Sequence, residues 1–256
     1  MKRFENQKIV VTGASEGLGR TIAVEMAVEG ADLVLVDRVG CEETFDLIAR
    51  RGLGARCVQC DISREEEVVA MAREVGRLFG GHVDVLINNA GLNGKAALIR
   101  DMKLSDWNTT LGVDLTGTMM VCREFIPMLG CGAKIVNVAS NVGKRGLPWR
   151  SDYVCSKWGV IGFTQTLALE LVQSGVRVNA VCPGPIEGER IEQLVRMHAE
   201  AEGVPYERML ASWMDVPMKR FIRPEEVSEV IKFLASDASS AMTGQSLNVT
   251  GGMLMN

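Results

Sequence analysis

Short apolar segments alternate with longer segments of helical periodicity through most of this 256-residue chain. The apolar segments include KIVVTG, ADLVLVD, ARCVQCD and VDVLINNAG, and AKIVNVAS and VRVNAVCPG continue the series. Strands that are nearly continuous apolar runs, each followed by a helix, predict a mostly parallel sheet covered on both faces. Because crossovers between parallel strands are right-handed, the pattern predicts an α/β fold with a doubly wound sheet in three α/β/α layers.

No linker, repeat or low-complexity segment interrupts this pattern, so one domain spanning residues 1–256 is expected. The segment from Leu104 to Leu129 is predicted to form one long helix. Ser63, with Glu66 three residues later, predicts a capping box at the start of the third helix. Residues 186–222 are predicted to be an irregular insert of mixed charge with a functional role, although a solvated helix is the simpler interpretation of any single residue there.

Charge and cysteine content exclude several classes of function. The net charge of −4 argues against a nucleic-acid-binding protein. No run approaches the roughly 18 apolar residues of a membrane span, and no secretory signal is recognisable. The seven cysteines are therefore expected to be reduced thiols in a cytoplasmic protein. Cys57 and Cys60 would point to opposite faces of a strand, and the only histidines are His82 and His198, so no metal is expected.

A glycine-rich turn, TGASEGLG, joins the first predicted strand to the first helix. In that context Gly13 permits a tight turn, Gly17 lets the backbone approach a pyrophosphate, and Gly19 lets the helix pack against the strand. A plain connecting turn is the alternative. If the turn binds phosphate, the pattern is that of a Rossmann-type dinucleotide site.

The charges near this turn indicate which dinucleotide it would take. The second strand ends at Asp37, whose carboxylate can bond an adenosine ribose and repel a 2′-phosphate. Glu16 adds a second negative charge, while Arg38 is the one adjacent residue able to accept a phosphate. This balance favours NAD over NADP.

Tyr153 and Lys157 stand four residues apart in a predicted helix, so both lie on one face, one turn apart. The spacing alone does not separate a proton-transfer pair from two ordinary side chains. The surrounding sequence decides between them. YVCSK, which contains the pair, is accompanied by TGASEGLG, CDIS, NNAG and PGPI, and Ser140 stands thirteen residues before Tyr153. Taken in order, these resemble the motifs of the short-chain dehydrogenase/reductase family over nearly the whole chain.

The resemblance implies a hydride-transfer enzyme that forms a homotetramer, or a homodimer, through its two long helices; the charges described above favour NAD as its cofactor. Tyr153 would be the general acid and base. A tyrosine hydroxyl ordinarily has a pKa of about 10, so a nearby cation such as Lys157 is needed to favour the phenolate. Ser140 would bond the substrate oxygen. The resemblance also implies a set of cofactor contacts. Besides Gly13, Glu16, Gly17, Gly19 and Asp37, they are Ser15, Leu18, Asp61, Ile62, Asn88, Ala90, Gly91, Tyr153, Lys157, Pro183, Gly184 and Ile186.

Two positions depart from the family pattern. Asp114 stands where the family usually has an asparagine; it is kept as a fourth catalytic candidate and is expected to weaken the effect of Lys157 by adding negative charge beside it. Gly188 stands where the family often has a threonine that contacts the cofactor amide.

The substrate contacts are expected in two segments beside the catalytic residues. Trp149 and Arg150 lie between Ser140 and Tyr153, and an arginine there can bind a carboxylate, phosphate or sulfonate. Asn93 and Lys95 would line the opposite wall, and residues 186–222 would form a lid. The expected substrate is a small polar secondary alcohol, polyol or sugar derivative, anionic ones included.

Two other functions stay open. A 3-oxoacyl-thioester reductase is the second enzymatic interpretation, although NADPH would be expected for it and Asp37 and Glu16 disfavour NADPH. A dinucleotide-binding sensor without catalysis is the interpretation from another class, suggested by Asp114.

Overall fold

Each of the apolar segments forms one strand of a single sheet in the computed structural model, which describes residues 2–255. The strands run in parallel in the order β3-β2-β1-β4-β5-β6-β7. Their bounds are β1 Lys8–Thr12, β2 Asp32–Asp37, β3 Ala55–Gln59, β4 Val83–Asn88, β5 Leu129–Val138, β6 Arg177–Pro183 and β7 Ser246–Val249. The predicted Rossmann-type doubly wound sheet is confirmed.

Helices cover both faces of the sheet. They are α1 Gly17–Val28, α2 Glu42–Ala49, α3 Glu65–Phe79, α4 Leu104–Leu111, α5 Thr118–Phe125, α6 Ser151–Leu171, α7 Glu189–Glu202, α8 Tyr206–Trp213 and α9 Pro224–Ala235. Successive strand residues enter different cores, since their side chains alternate in direction. Ile9 and Val11 belong to the core that includes residues of α1 and α9, whereas Val10 belongs to the core formed with α3 and α5.

The predicted capping box at Ser63 is wrong. The third helix begins at Glu65, and the Ser63 hydroxyl donates instead to Asp61 Oδ1 at 2.7 Å. The backbone N–H of Asp61 donates to Glu67 Oε2 at 2.9 Å. The backbone N–H of Ser63 also donates to Asp61 Oδ1, at 3.0 Å, so Ser63 belongs to a local turn closed by Asp61 and does not cap α3.

The segment predicted as one long helix is interrupted. A π-helical stretch from Gly112 to Gly117 separates α4 from α5, and a 3₁₀ turn over Ile126–Met128 ends the segment. Asp114 lies within the π-helical stretch. Such stretches are rare and are often found at functional sites.

The insert predicted as irregular is largely helical, since it contains α7 and α8. These helices share a small core of Ile191, Leu194, Val195, Ala199 and Met209. The first four stand at i, i+3, i+4 and i+8, which is helical spacing. The mixed charges of the segment concealed that periodicity. Within residues 2–255, no helix combines the length and apolar character needed to cross a membrane.

Candidate active site

A cleft of about 1420 Å³ opens where the carboxyl ends of the strands meet. Chain connections reverse direction between β1 and β4, and open α/β sheets bind ligands in the crevice beyond such a point. Most of the predicted site residues line this cleft: Gly13, Ser15, Glu16, Gly17, Leu18, Gly19, Asp37, Asp61, Ile62, Ala90, Gly91, Asn93, Ser140, Arg150, Tyr153, Lys157, Pro183, Gly184 and Ile186.

The glycine-rich turn has a shape that side chains would obstruct. Gly13 has φ of 65°, a left-handed conformation that favours glycine. A Cβ atom on Gly19 would lie 1.8 Å from the carbonyl oxygen of Gly13. Asn89 Nδ2 donates to the carbonyl oxygens of Thr12 and Gly13 at 3.1 and 2.9 Å. The turn is therefore fixed in front of the N-terminus of α1, which is the arrangement that binds a pyrophosphate.

Asp37 lies at the end of β2, beside this turn. Its Oδ2 atom accepts hydrogen bonds from the backbone N–H and the hydroxyl of Ser15 at 3.1 and 2.8 Å. Glu16 and Arg38 line the same cleft, and Arg20 is paired with Glu43 at 2.7 Å. This end of the cleft therefore combines carboxylates with two arginines, of which Arg20 is paired with an acidic partner.

Asn88 is not brought to the cleft. Its Nδ2 donates to Asn137 Oδ1 at 2.9 Å inside the molecule, and the residue is buried. The reason is that successive side chains of a strand point in opposite directions and Asn88 is the last residue of β4. Asn89, the next residue, lines the cleft and holds the glycine-rich turn. The NNAG motif predicted the place correctly but not which asparagine faces the cofactor site.

Lys95 and Trp149 are likewise outside the cleft lining, although both neighbour residues that line it. Lys95 is exposed, and its backbone N–H donates to Asp152 Oδ2 at 3.2 Å. Trp149 has φ of 66°, and its carbonyl oxygen accepts from the backbone N–H of Ala97 at 3.0 Å. The backbone of Trp149 thus links the loop after β4 to the start of α6, and Trp149 is not among the residues that line the cleft.

Ser140, Tyr153 and Lys157 line the same region of the cleft. Ser140 follows β5, and the other two lie on α6. Lys157 Nζ lies 5.5 Å from the centroid of the Tyr153 ring and donates to the carbonyl oxygen of Val138 at 3.1 Å. The Ser140 hydroxyl donates to Asn141 Oδ1 at 3.0 Å. A phenol with a cation beside it and a second hydroxyl nearby can transfer a proton and stabilise charge on a substrate oxygen.

Asp114 lies behind Lys157 and does not line the cleft. The carboxylate is completely buried; Oδ2 is 3.4 Å from Lys157 Nζ, and Oδ1 accepts from the backbone N–H of Leu92 at 2.7 Å. The expectation that an aspartate here sits beside the lysine matches this geometry. Asp114 therefore contacts Lys157 and the loop at Leu92 from inside the molecule, and its carboxylate is not among the groups that line the cleft.

Asp152 was missed at the sequence level. It is fully buried beside Tyr153, and its Oδ2 atom accepts from the Thr110 hydroxyl at 2.7 Å as well as from Lys95. Its Oδ1 atom accepts from the backbone N–H of Tyr153 at 2.7 Å. An acidic residue in the first turn of a helix was the only signal. The side chain joins α4, the loop after β4 and α6, which sets the position of Tyr153.

Arg150 is 1% exposed and lies against Tyr153. Its guanidinium carbon is 4.6 Å from the centroid of the Tyr153 ring, Nη2 donates to the carbonyl oxygen of Asn93, and Nε has no hydrogen-bond partner among residues 2–255. Burial lowers the pKa of Arg150 from its ordinary value. Within the described part of the chain no carboxylate forms an ion pair with it.

A second arginine, Arg190 of the lid helix α7, approaches the same loop. Its Nε donates to Asn93 Oδ1 at 2.5 Å, and Nη1 donates to the carbonyl oxygen of Gly91 at 3.0 Å. Like Arg150, it contacts neutral oxygen atoms, and both side chains line the cleft. The sequence marked Arg190 only as one of many lid charges, because nothing local indicates which of them folds inward.

Comparisons with known proteins agree with this geometry. A family model described as enoyl-(acyl carrier protein) reductase matches residues 13–254. A 3-oxoacyl-[acyl-carrier-protein] reductase of Staphylococcus epidermidis is 36% identical, over 98% of this chain and all of that protein. Among solved structures, NAD⁺-bound xylitol dehydrogenase is 32% identical with a TM-score of 0.91, covering 98% of this chain and 100% of that one. A variant of actinorhodin polyketide ketoreductase with NADPH is also 32% identical. Its TM-score is 0.87, and the match covers 96% of this chain and 97% of that one.

Proposed function

Because the chain belongs to the short-chain dehydrogenase/reductase family of oxidoreductases, we propose that it oxidises a small polar secondary alcohol with NAD. The alcohol is a hydroxy compound, polyol or sugar derivative that carries an anionic group. The single observation behind this substrate class is Arg150, a buried guanidinium beside Tyr153 that forms no ion pair with a carboxylate of residues 2–255, although the charges of Asp152 and Asp114 act on it. We further propose a cytoplasmic homotetramer, or homodimer, as the working form.

NAD fits the residues of the cleft. The protein's own atoms leave no room for a Cβ atom at Gly13 or Gly19, whereas Gly17 faces open space, where the backbone can approach a pyrophosphate. Asp37 would bond the adenosine ribose, and Lys157 the nicotinamide ribose. When bound, the nicotinamide supplies hydride chemistry, which no amino-acid side chain can provide.

The side chains supply proton transfer and charge stabilisation. Tyr153 takes the proton of the substrate hydroxyl during oxidation and returns it during reduction. Lys157 favours the phenolate form electrostatically, and Ser140 donates a hydrogen bond to the substrate oxygen as its charge changes. The carboxylate of Asp114, 3.4 Å from the Lys157 ammonium, partly offsets that cation while it holds it in place.

The preference for NAD rests on Asp37. We expect Asp37→Asn to raise the ratio of kcat/KM with NADP to kcat/KM with NAD by about tenfold or more, because it removes a charge that repels the 2′-phosphate at close range. An asparagine oxygen can still accept the hydrogen bonds from Ser15. Steady-state kinetics with both nucleotides measure the ratio, and Asp46→Asn, an exposed carboxylate on α2, is the control. A wild-type protein that uses NADP as well as NAD would refute the preference.

The anionic substrate class rests on Arg150. A desolvated cation whose only polar contact is a carbonyl oxygen is costly, and an anionic ligand would compensate it. We expect Arg150→Met to lower kcat/KM for hydroxy acids by about 10- to 100-fold, the range of one charged hydrogen bond. Neutral alcohols and polyols that the wild-type protein oxidises should change much less.

The matched control is Arg196→Met, which removes an exposed lid arginine that stacks on Tyr206 and does not line the cleft. Equal losses on neutral and anionic substrates in Arg150→Met would show that Arg150 only supports the Tyr153 ring, and the anionic class would then be abandoned.

Reduction of a 3-oxoacyl thioester is the second candidate, favoured by the name and 36% identity of the Staphylococcus epidermidis relative. Arg150 beside the tyrosine and Arg190 on α7 are less suited to a neutral acyl chain than to an anion. Acetoacetyl thioesters tested with NADPH and NADH, against hydroxy acids with NAD, separate the two. Faster turnover of the thioester with NADPH would favour the second candidate.

A further inference from the structure

His198 of the lid helix α7 is buried in the cleft wall with one ring nitrogen unused. The residue is 2% exposed and lines the cleft, and Nε2 has no hydrogen-bond partner among residues 2–255. A buried polar atom without a partner costs free energy unless a ligand satisfies it. The mechanism above does not use this atom, although His198 lines the same cleft as Arg150.

The ring of His198 is held in one orientation. Its edge packs against Trp213, with ring centroids 5.2 Å apart, and the Trp213 indole N–H is directed to Met209 Sδ at 3.2 Å. On the other side, Nδ1 lies 3.8 Å from Glu202 Oε1. Because a carboxylate only accepts hydrogen bonds, this neighbour favours the tautomer with the proton on Nδ1.

The charge state of the ring follows from its surroundings. Burial lowers the pKa of His198, and the positive charge of Arg150 lowers it further, against an opposing contribution from Glu202. A neutral ring protonated on Nδ1 has a lone pair on Nε2. Nε2 is then a hydrogen-bond acceptor: it suits a hydroxyl group and repels a carboxylate.

We propose that His198 Nε2 accepts a hydrogen bond from a second hydroxyl group of the substrate, beside the anionic group bound by Arg150. The substrate is then a hydroxy acid with at least one further hydroxyl, which helix α7 would contact through His198. The inference rests on the proposed function, since it takes the reaction and the anion site from it. It adds the lid as the element that distinguishes dihydroxy from monohydroxy acids.

Paired substrates that differ by one hydroxyl test this role. The probes are 3-hydroxybutyrate with 2,3-dihydroxybutyrate, and 3-hydroxycyclohexanecarboxylate with 3,4-dihydroxycyclohexanecarboxylate, each with NAD. For the wild-type protein we expect kcat/KM to be higher for the dihydroxy acid by about tenfold or more, which is the contribution of one hydrogen bond. His198→Leu should abolish the preference, and His198→Gln, which retains an acceptor, should restore part of it. His82→Gln, at the exposed second histidine, should leave it unchanged.

Nitrogen NMR of the wild-type protein with labelled histidine gives a second measurement that does not depend on turnover. With only two histidines, His82→Gln assigns the signals. We expect Nε2 of His198 to lack a proton at neutral pH and to shift when 2,3-dihydroxybutyrate is added with NAD, but not when 3-hydroxybutyrate is added.

The outcomes separate the two levels of inference. A proton on Nε2, or a dihydroxy preference that persists in His198→Leu, overturns the role of His198 and leaves the proposed function standing. Failure of the wild-type protein to oxidise any hydroxy acid, with Nε2 unprotonated, contradicts the proposed function itself.

Discussion

Tyr153→Phe should lower kcat by about 10²–10⁴-fold, the usual contribution of a general acid or base. The change removes one oxygen atom and leaves the ring that packs against Arg150 and faces Lys157. Affinity for NAD should change little, because the glycine-rich turn and Asp37 are untouched. Single-turnover measurements separate the loss of chemistry from any loss of binding, and NAD titration by fluorescence checks the binding directly.

The matched control is Tyr206→Phe. Tyr206 is the only other tyrosine; it lies on α8 and stacks with Arg196. This control should retain wild-type kcat within about twofold, as expected of a surface substitution away from special features. Substantial activity in Tyr153→Phe would show that another group transfers the proton, and the assignment of Tyr153 would have to be given up.

Lys157→Met should remove activity and also destabilise the protein. The Lys157 and Asp114 side chains are 5% and 0% exposed, so loss of the lysine leaves a buried carboxylate without its cation. Breaking a buried pair in this way costs about 3–5 kcal/mol of unfolding free energy. Adding Asp114→Asn should recover most of that stability, since an amide oxygen can still accept from Leu92 N–H. Activity should stay low, because the cation beside Tyr153 is still missing.

Chemical denaturation of the two variants, with turnover measured in parallel, distinguishes these effects. Lys134→Met is the control: Lys134 is also buried, but its partner Asp237 is 87% exposed and remains solvated when the lysine is lost. Its loss of stability should be much smaller. A Lys157→Met protein as stable as wild type would contradict the buried pair, and recovery of activity in the double variant would contradict the role of the lysine.

The sequence predicts the sheet and the cofactor end well because both depend on local pattern. Apolar runs of strand length and the glycine-rich turn determine their structure largely from neighbouring residues. Tyr153 and Lys157 are placed correctly for the same reason, since helical spacing fixes them on one face. The errors begin where two local choices compete. Ser63 bonds Asp61 instead of capping α3, and which asparagine of NNAG faces the cleft depends on the residue at which β4 ends.

The substrate end of the cleft could not be predicted in the same way. Arg190 and His198 reach it only because the lid helices fold over residues that lie about a hundred positions earlier in the chain, such as Asn93. The burial of Asp152 depends on Thr110 and the loop after β4, which no local pattern brings together. The residues on both sides of the π-helical stretch at Asp114 have helical periodicity. The sequence therefore predicts one continuous helix and does not reveal the stretch.

Absorbance of reduced nicotinamide is the most direct test of the central claim that this chain is an NAD-dependent dehydrogenase of small anionic alcohols. The purified protein is mixed with NAD or NADP and a panel of hydroxy acids, matched neutral alcohols and polyols, and the absorbance is followed. We expect the band to grow fastest with NAD and a hydroxy acid, and not to grow with Tyr153→Phe. Tight binding of NAD with no turnover of any alcohol would contradict the claim and favour a dinucleotide-binding sensor.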